Sequence, residues 1–335
     1  MPLFWQKFRA NVPGPFAAAL VLAGGFLGFV AWDQSHWWRV KPDYAFGWLV
    51  PVFVGFVLHD RWSRIVPALQ ACGEEGSPRA AGWHQWLLRA LVAAAMAGGV
   101  LMFLLGSFYR AGAGSSQPGT LAITLGMVGI VLPLVLINAP DSPAPARSSL
   151  RADARVRLTA LFLFPVLVWL VSAPIVSAVE TQLNLALLRR IVAIVAFIFD
   201  ALGLPIEQQG NVLALPTGNV GVEDACSGIR SLTGCLFAGS FLAAVFVERF
   251  WQKCALIAVA LFLAFFTNLL RSLFLTSWAY HYGPRAIEGT VHDLAGYGVL
   301  ALTVAALLGL LPLWKLPGRT FARRPPGADN ISSLP

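Results

Sequence analysis

The sequence predicts an all-α polytopic membrane protein of about eight transmembrane helices, with an interfacial amphipathic helix and a short extracytoplasmic hairpin-like segment between two of them. Three observations carry that expectation. Hydrophobic residues make up 57% of the 335 residues and charged residues only 12%, a balance that calls for lipid as solvent. The apolar residues gather in runs near the roughly 20 residues that a hydrocarbon core demands of a helix. The basic residues behind the formal charge of +8 fall in short clusters between alternate runs. That is the distribution of cytoplasmic membrane loops, not of a nucleic-acid surface.

Taken in order, the spans fall near Pro15–Trp32, Ala45–Leu58, Trp86–Leu105, Leu121–Ile137, Leu158–Val176, Ser231–Val247, Cys254–Phe274 and His292–Leu311. The first run follows Lys7 and Arg9 but ends on Trp32, Asp33 and Gln34 without a small-residue cleavage site, so an uncleaved span is expected. Arg61, Arg64, Arg79 and Arg89 flank one connection; Arg147, Arg151, Arg155 and Arg157 flank the next but one. Arg249 and Lys253 mark another, and Lys315, Arg319, Arg323 and Arg324 follow the last span. Every second connection is therefore basic, which predicts a multi-pass protein of the inner (plasma) membrane with both termini cytoplasmic. Residues 1–319 read as one transmembrane domain and 320–335 as a disordered cytoplasmic tail.

The longest outward connection divides in two. Glu180–Leu204 has helical apolar spacing but includes Arg189, Arg190 and Asp200, which suits a helix lying in the interface. Asn211–Pro216 and Asn219–Val222 then flank Pro216-Thr-Gly218, a turn between two short extended segments.

The chemistry is expected where three helix ends meet. At 1.5 Å per residue, Cys226 lies roughly 31 Å above Val247, Arg271 about 26 Å above Cys254, and His292 about 28 Å above Leu311. A thiol, a guanidinium and an imidazole thus reach one depth, the outer face. Cys226 stands before the sixth span, where unpaired helix N–H groups and nearby cations favour thiolate. Cys72, Cys235 and Cys254 read instead as small buried hydrophobes. The four cysteines form no CxxC pair and have no histidines at metal-ligand spacing, so no metal, cofactor or disulfide framework is expected.

Arg271 follows Asn268 by one helical turn and offers a charged fork for a carbonyl oxygen or oxyanion; a snorkelling anchor explains the arginine alone but not the amide. Arg230 is its rival, one turn beyond Cys226. His292 can protonate a leaving amine or deprotonate a nucleophile, with Asp293 or Glu223 fixing its tautomer, and His281 is the substitute. Cys226, Arg271 and His292 are the expected catalytic residues. Glu223, Ser227, Arg230, Asn268 and Asp293 are the supporting or substrate-binding ones. Spacing leaves the assignment of acid and base open.

The run from Gln209 to Ser231 containing Glu223-Asp-Ala-Cys-Ser-Gly-Ile-Arg-Ser231, then Asn268-Leu-Leu-Arg271, His281-Tyr-Gly-Pro284 and His292-Asp293, resembles the exosortase/archaeosortase family in content and order. The resemblance is specific from about Gly210 to Leu311; upstream, Tyr44–Pro51 is similar but looser. It implies a membrane cysteine transpeptidase acting on secreted proteins with a C-terminal motif such as Pro-Glu-Pro, a transmembrane helix and a basic tail. Cleavage through a cysteine acyl-enzyme, and transfer to a lipid or carbohydrate acceptor linked to exopolysaccharide production, would follow. The same resemblance makes Cys226 the nucleophile, Arg271 the proton donor or carbonyl-polarising group and His292 the third member. It departs from longer members in ending soon after the last span. Three other readings remain open: a transporter, a protease that only hydrolyses, and a non-catalytic assembly factor of polysaccharide export.

Overall fold

A computed structural model of the protein describes residues 12–221, 228–247 and 249–315. Helices dominate because lipid offers the backbone no hydrogen-bond partners, so each crossing segment must satisfy its own amides. In chain order they are α1 (Gly14–Val40), a 3-10 segment (Pro42–Trp48), α2 (Leu49–Gly73), α3 (Trp83–Ala113), α4 (Gln117–Ile137), α5 (Ala154–Leu167), α6 (Trp169–Ser172), α7 (Ser177–Ala201), α8 (Gly228–Phe246), α9 (Phe250–Tyr282), a second 3-10 segment (Pro284–Ile287) and α10 (Thr290–Lys315). Strands β1 (Pro78–Ala80) and β2 (Ala146–Ser148) pair in parallel at the lower end of the bundle; β3 (Glu207–Gln209), β4 (Val212–Leu215) and β5 (Gly218–Gly221) form an antiparallel sheet at the upper end.

Among the described residues, eight stretches are long and apolar enough to cross a membrane; they include α7, while Ser231–Phe246 of α8 is shorter. Contacts separate the two. At the start of α7, Ser177 bonds Gln117 in the first turn of α4, and Glu180 bonds Lys41 just past the end of α1 (2.6 Å), both at the upper end. At its close, Phe199 packs on Tyr280 near the end of α9, with ring centroids 5.9 Å apart. Both ends of α7 thus contact residues near the upper end, while Leu188, Ile191, Val192 and Val195 belong to a core cluster against which Phe265, Leu269 and Leu273 of α9 pack. Helix α8 runs the length of the bundle: Thr233 bonds the Asp43 carbonyl above (3.0 Å), and Leu242 and Val247 pack with Leu256 of α9 and Leu311 of α10 below.

The second span is longer than its hydropathy suggests, since α2 continues through Arg61 and Arg64 to Gly73. Arg61 is tolerated inside because Nη1 donates to the Leu161 carbonyl (2.7 Å). Leu161 sits four residues before Pro165 in α5, and proline has no N–H to fill that carbonyl. The cation thus supplies the donor that the proline lacks.

A buried polar layer fastens the upper end. Gln34 of α1 donates to Thr124 (2.9 Å) and to the Trp169 carbonyl (3.2 Å), and accepts from Ser172 (2.7 Å). Asp33 pairs with Arg110, and Tyr44 accepts the Ile175 amide (3.0 Å). The expected hairpin is β4–β5, turning at Pro216-Thr217 with Leu215 opposite Gly218. Its third strand, β3, has too little length to announce itself in sequence. Thr217 donates to the Ala279 carbonyl of α9 (2.9 Å), and Leu215 and Val220 pack on Leu275, Ala279 and Ile287. The expected tail, 320–335, lies outside the described residues.

Helices α3 and α4 approach through glycine. A β-carbon built at Gly99 would stand 2.6 Å from the Gly129 carbonyl carbon, whereas one at neighbouring Gly98 meets nothing within 4 Å. Without a hydrophobic drive between helices in lipid, such close backbone packing is what holds them. Gly99→Leu should destabilise the detergent-solubilised protein by about 1–3 kcal/mol in thermal unfolding, the range for overpacking. Gly98→Leu should leave the melting temperature unchanged.

Candidate functional site

Helix α9 has 33 residues, about 50 Å, so it overreaches a hydrocarbon core of roughly 30 Å. Arg271 lies about 16 Å below its upper end, and the hairpin packs on the turns above it. Helix α10 begins at Thr290 and places His292 in its first turn. There the two side chains meet, with Arg271 Nη2 2.8 Å from His292 Nε2. A guanidinium can only donate, so Nε2 is the acceptor and the imidazole carries its proton on Nδ1. The ring is neutral in this arrangement.

Small and hydroxylated residues bring the two helices together. A β-carbon at Gly296, one turn beyond His292, would already touch Arg271 Nη2 at 3.6 Å, so the guanidinium occupies space that glycine leaves. One turn below Arg271, Thr267 Oγ1 meets Thr303 Oγ1 of α10 at 3.0 Å. Asn268 is 2% exposed, and neither its amide nitrogen nor its carbonyl oxygen has a hydrogen-bond partner among the described residues. Arg271 Nε is likewise buried without one. Unmet polar atoms at a membrane helix interface are costly, and three of them gather here within one helical turn.

The structure thus brings together Arg271, His292 and Asn268. Asp293 is exposed, and no hydrogen bond or ion pair of its carboxylate is found among the described residues. Successive residues on a helix point about 100° apart, so the neighbour of His292 faces away from its ring. His281 lies about 15 Å along α9 from Arg271 and packs edge-on against Tyr280, so it takes no part in the pair. Glu223, Cys226 and Ser227 lie outside the described residues, as does the side chain of Arg230 in the first turn of α8. The other cysteines are free thiols: Cys72 and Cys235 are buried as expected, but Cys254 is exposed, in the second turn of α9, and so is not the buried hydrophobe expected. Among the described residues, no group of three His, Cys, Asp or Glu could hold a metal ion. Gly296 and the Thr267–Thr303 pair escaped the sequence reading, though the two glycines Gly296 and Gly298 inside an apolar helix are a packing signal.

An open groove of about 510 Å³ runs between α9 and α10 beside the pair. Phe274, Trp278, Leu294, Gly298 and Leu302 line it, and among the described residues Arg271 is its one charged member.

Residues 37–309 match the transmembrane exosortase family, from the end of α1 to the last turns of α10. The chain belongs to that family. Neither the curated proteins nor the solved structures provide a match. In this exosortase, the matched stretch contains the whole Arg271–His292 arrangement and the hairpin above it.

If the Asn268 amide is held open for a bound group, replacing it with an apolar residue of similar size removes an unmet polar burden. Asn268→Leu should therefore raise the unfolding free energy by about 1 kcal/mol in mixed micelles. A loss of stability would mean that the amide has a structural partner.

Proposed function

We propose that this exosortase is a membrane-embedded cysteine transpeptidase that cleaves C-terminal sorting signals of exported proteins at the outer face of the inner membrane. The observation that carries the reading is the 2.8 Å contact between Arg271 and His292, with the unpartnered Asn268 amide one turn away. Family membership supports it, as does the sequence position of Cys226 two residues before Gly228, where α8 begins. In this reading both termini face the cytoplasm, in keeping with the alternation of basic connections.

Arginine is too weak an acid to donate a proton at neutral pH, so its proposed work is electrostatic. A scissile carbonyl arriving at the site draws the Arg271 guanidinium from His292 to its oxygen. That move frees the Nε2 lone pair, which takes the proton of the Cys226 thiol. The thiolate adds to the carbonyl carbon, and Arg271, helped by the Asn268 amide, holds the oxyanion. The C–N bond then breaks, the imidazolium protonates the departing amine, and a thioester remains on Cys226. An acceptor amine or hydroxyl attacks the thioester, gives its proton to His292 and leaves with the acyl group, restoring the thiol. Activation is thereby coupled to substrate arrival, because the base is occupied until a carbonyl displaces it.

The groove beside Arg271 suits the apolar anchor of such a substrate. An anchored protein would lie along Phe274, Leu294 and Leu302 with its scissile bond at the arginine, which fixes orientation before chemistry.

The test is co-expression with an exported reporter bearing a short motif, an apolar helix and a basic tail, following removal of the tail. Cys226→Ala should abolish processing while inserting normally, and normal processing would rule out the nucleophile. Arg271→Lys keeps charge but loses the fork, and should slow processing by about 100-fold or more. Gly298→Phe, at a position where a β-carbon meets nothing within 4 Å, should fill the groove and raise the reporter concentration needed for half-maximal processing. An unchanged requirement would remove the anchor from the groove.

A further inference from the structure

We infer that the lower end of the bundle carries a binding site for the phosphate of an anionic glycerophospholipid, in the cavity of about 430 Å³ between β1, β2 and the adjoining ends of α3, α4 and α5. It lies apart from the Arg271–His292 pair and does not depend on the transpeptidase reading.

Charge is the first argument. Arg79, Arg89, Arg147 and Arg155 line the cavity, against a single lining carboxylate among the described residues, Asp141. That carboxylate is already committed, since Arg79 Nε donates to it at 3.0 Å and this bond holds its carboxyl below the ordinary aspartate range. Arg79 is itself spent as a donor: Nη1 bonds Ser77 and Nη2 bonds the Cys72 and Pro140 carbonyls. It contributes fixed charge in a side chain that is 7% exposed. Arg147 stands directly opposite Arg79 in the β1–β2 register. The Arg79 charge is met by Asp141, so Arg147 adds positive charge to the cavity wall beside an ion pair that is already complete. Arg155 Nη2 reaches Asp153 at 3.5 Å, yet its Nε is buried with no hydrogen-bond partner, and Arg89 and Arg147 make no ion pair among the described residues. Among the described residues, the two lining arginines Arg89 and Arg147 and the Arg155 Nε are therefore left without an anionic partner.

Location selects the class of anion. Trp83 and Trp86 in the first turn of α3 are exposed, in the manner of tryptophans at the headgroup level of a bilayer. Toward the middle of the bundle the wall turns apolar, with Leu88 and Val92 of α3 and Leu136 and Ile137 of α4. A soluble phosphate would use the basic half of this cavity alone. A phospholipid uses both, with its phosphate among the guanidinium groups and its acyl chains against the apolar wall, as basic pockets between membrane helices take anionic headgroups. The amide end of α3, which has no side-chain cap, adds partial positive charge at the same point.

The experiment titrates the full-length protein, purified in a neutral detergent, with phosphatidylglycerol, phosphatidylcholine or inorganic phosphate, and reads the melting temperature. Phosphatidylglycerol should raise it well above the effect of the other two. The concentration giving half the shift should rise about fivefold for each of Arg89→Gln and Arg147→Gln, the weight of roughly one surface cation on an anionic lipid. Arg151→Gln removes equal charge at an exposed position outside the cavity and should change little. Equal shifts from phosphatidylcholine, or equal weakening by Arg151→Gln, would overturn the site. A full shift from inorganic phosphate alone would overturn the lipid assignment.

Discussion

A guanidinium sunk about 16 Å below the end of an otherwise apolar helix sets the terms for this protein. Arg271 is always charged, and lipid around it would exact a heavy desolvation penalty. The fold answers with neighbours from a second helix. His292 supplies an acceptor, Gly296 supplies room, and Thr267 with Thr303 fixes the spacing one turn below. The sheet β3–β5 rests on the turns above, where Leu275 and Ala279 are fully buried beneath Leu215 and Val220. The charge is thus met by residues drawn from two helices and the sheet above them.

The two ends of the bundle solve different problems. At the upper end, neutral side chains such as Gln34, Thr124, Ser172 and Tyr44 satisfy one another and tie α1, α4 and α6 to the start of α7. Gln34, Thr124, Ser172 and Tyr44 can be buried there because each finds a partner. At the lower end, arginines crowd around short strands, and some of their donors remain unmet. At the upper end the charges are also paired, Asp33 with Arg110 and Glu180 with Lys41, whereas at the lower end basic residues outnumber their partners among the described residues.

What could be read in the sequence follows from what is local. The spans were legible because hydropathy is a property of a run of residues, and the hairpin because Pro216-Thr-Gly218 changes the period between two extended segments. The meeting of Arg271 and His292 followed from counting residues along two helices. Other features are decided by partners distant in sequence. The extension of α2 through Arg61 depends on a carbonyl that Pro165 leaves open in another helix. The β1–β2 ladder joins residues 78–80 to 146–148, and three-residue strands carry no periodicity. Asp293 looked like a partner of His292 because the two are adjacent in sequence, but a helix turns adjacent side chains apart.

That ladder brackets α3 and α4. The chain enters the helical pair at β1, turns through Gly114–Ser116 and leaves at β2, so the two ends of the excursion are clasped side by side, with Asp153 just beyond accepting the Ala80 amide at 2.9 Å. The pair is therefore a closed lobe, joined internally by glycine and shut at its base like a looped cord. A nick in the upper turn would leave both halves attached to the body, and the remaining helices could be threaded around a piece already complete.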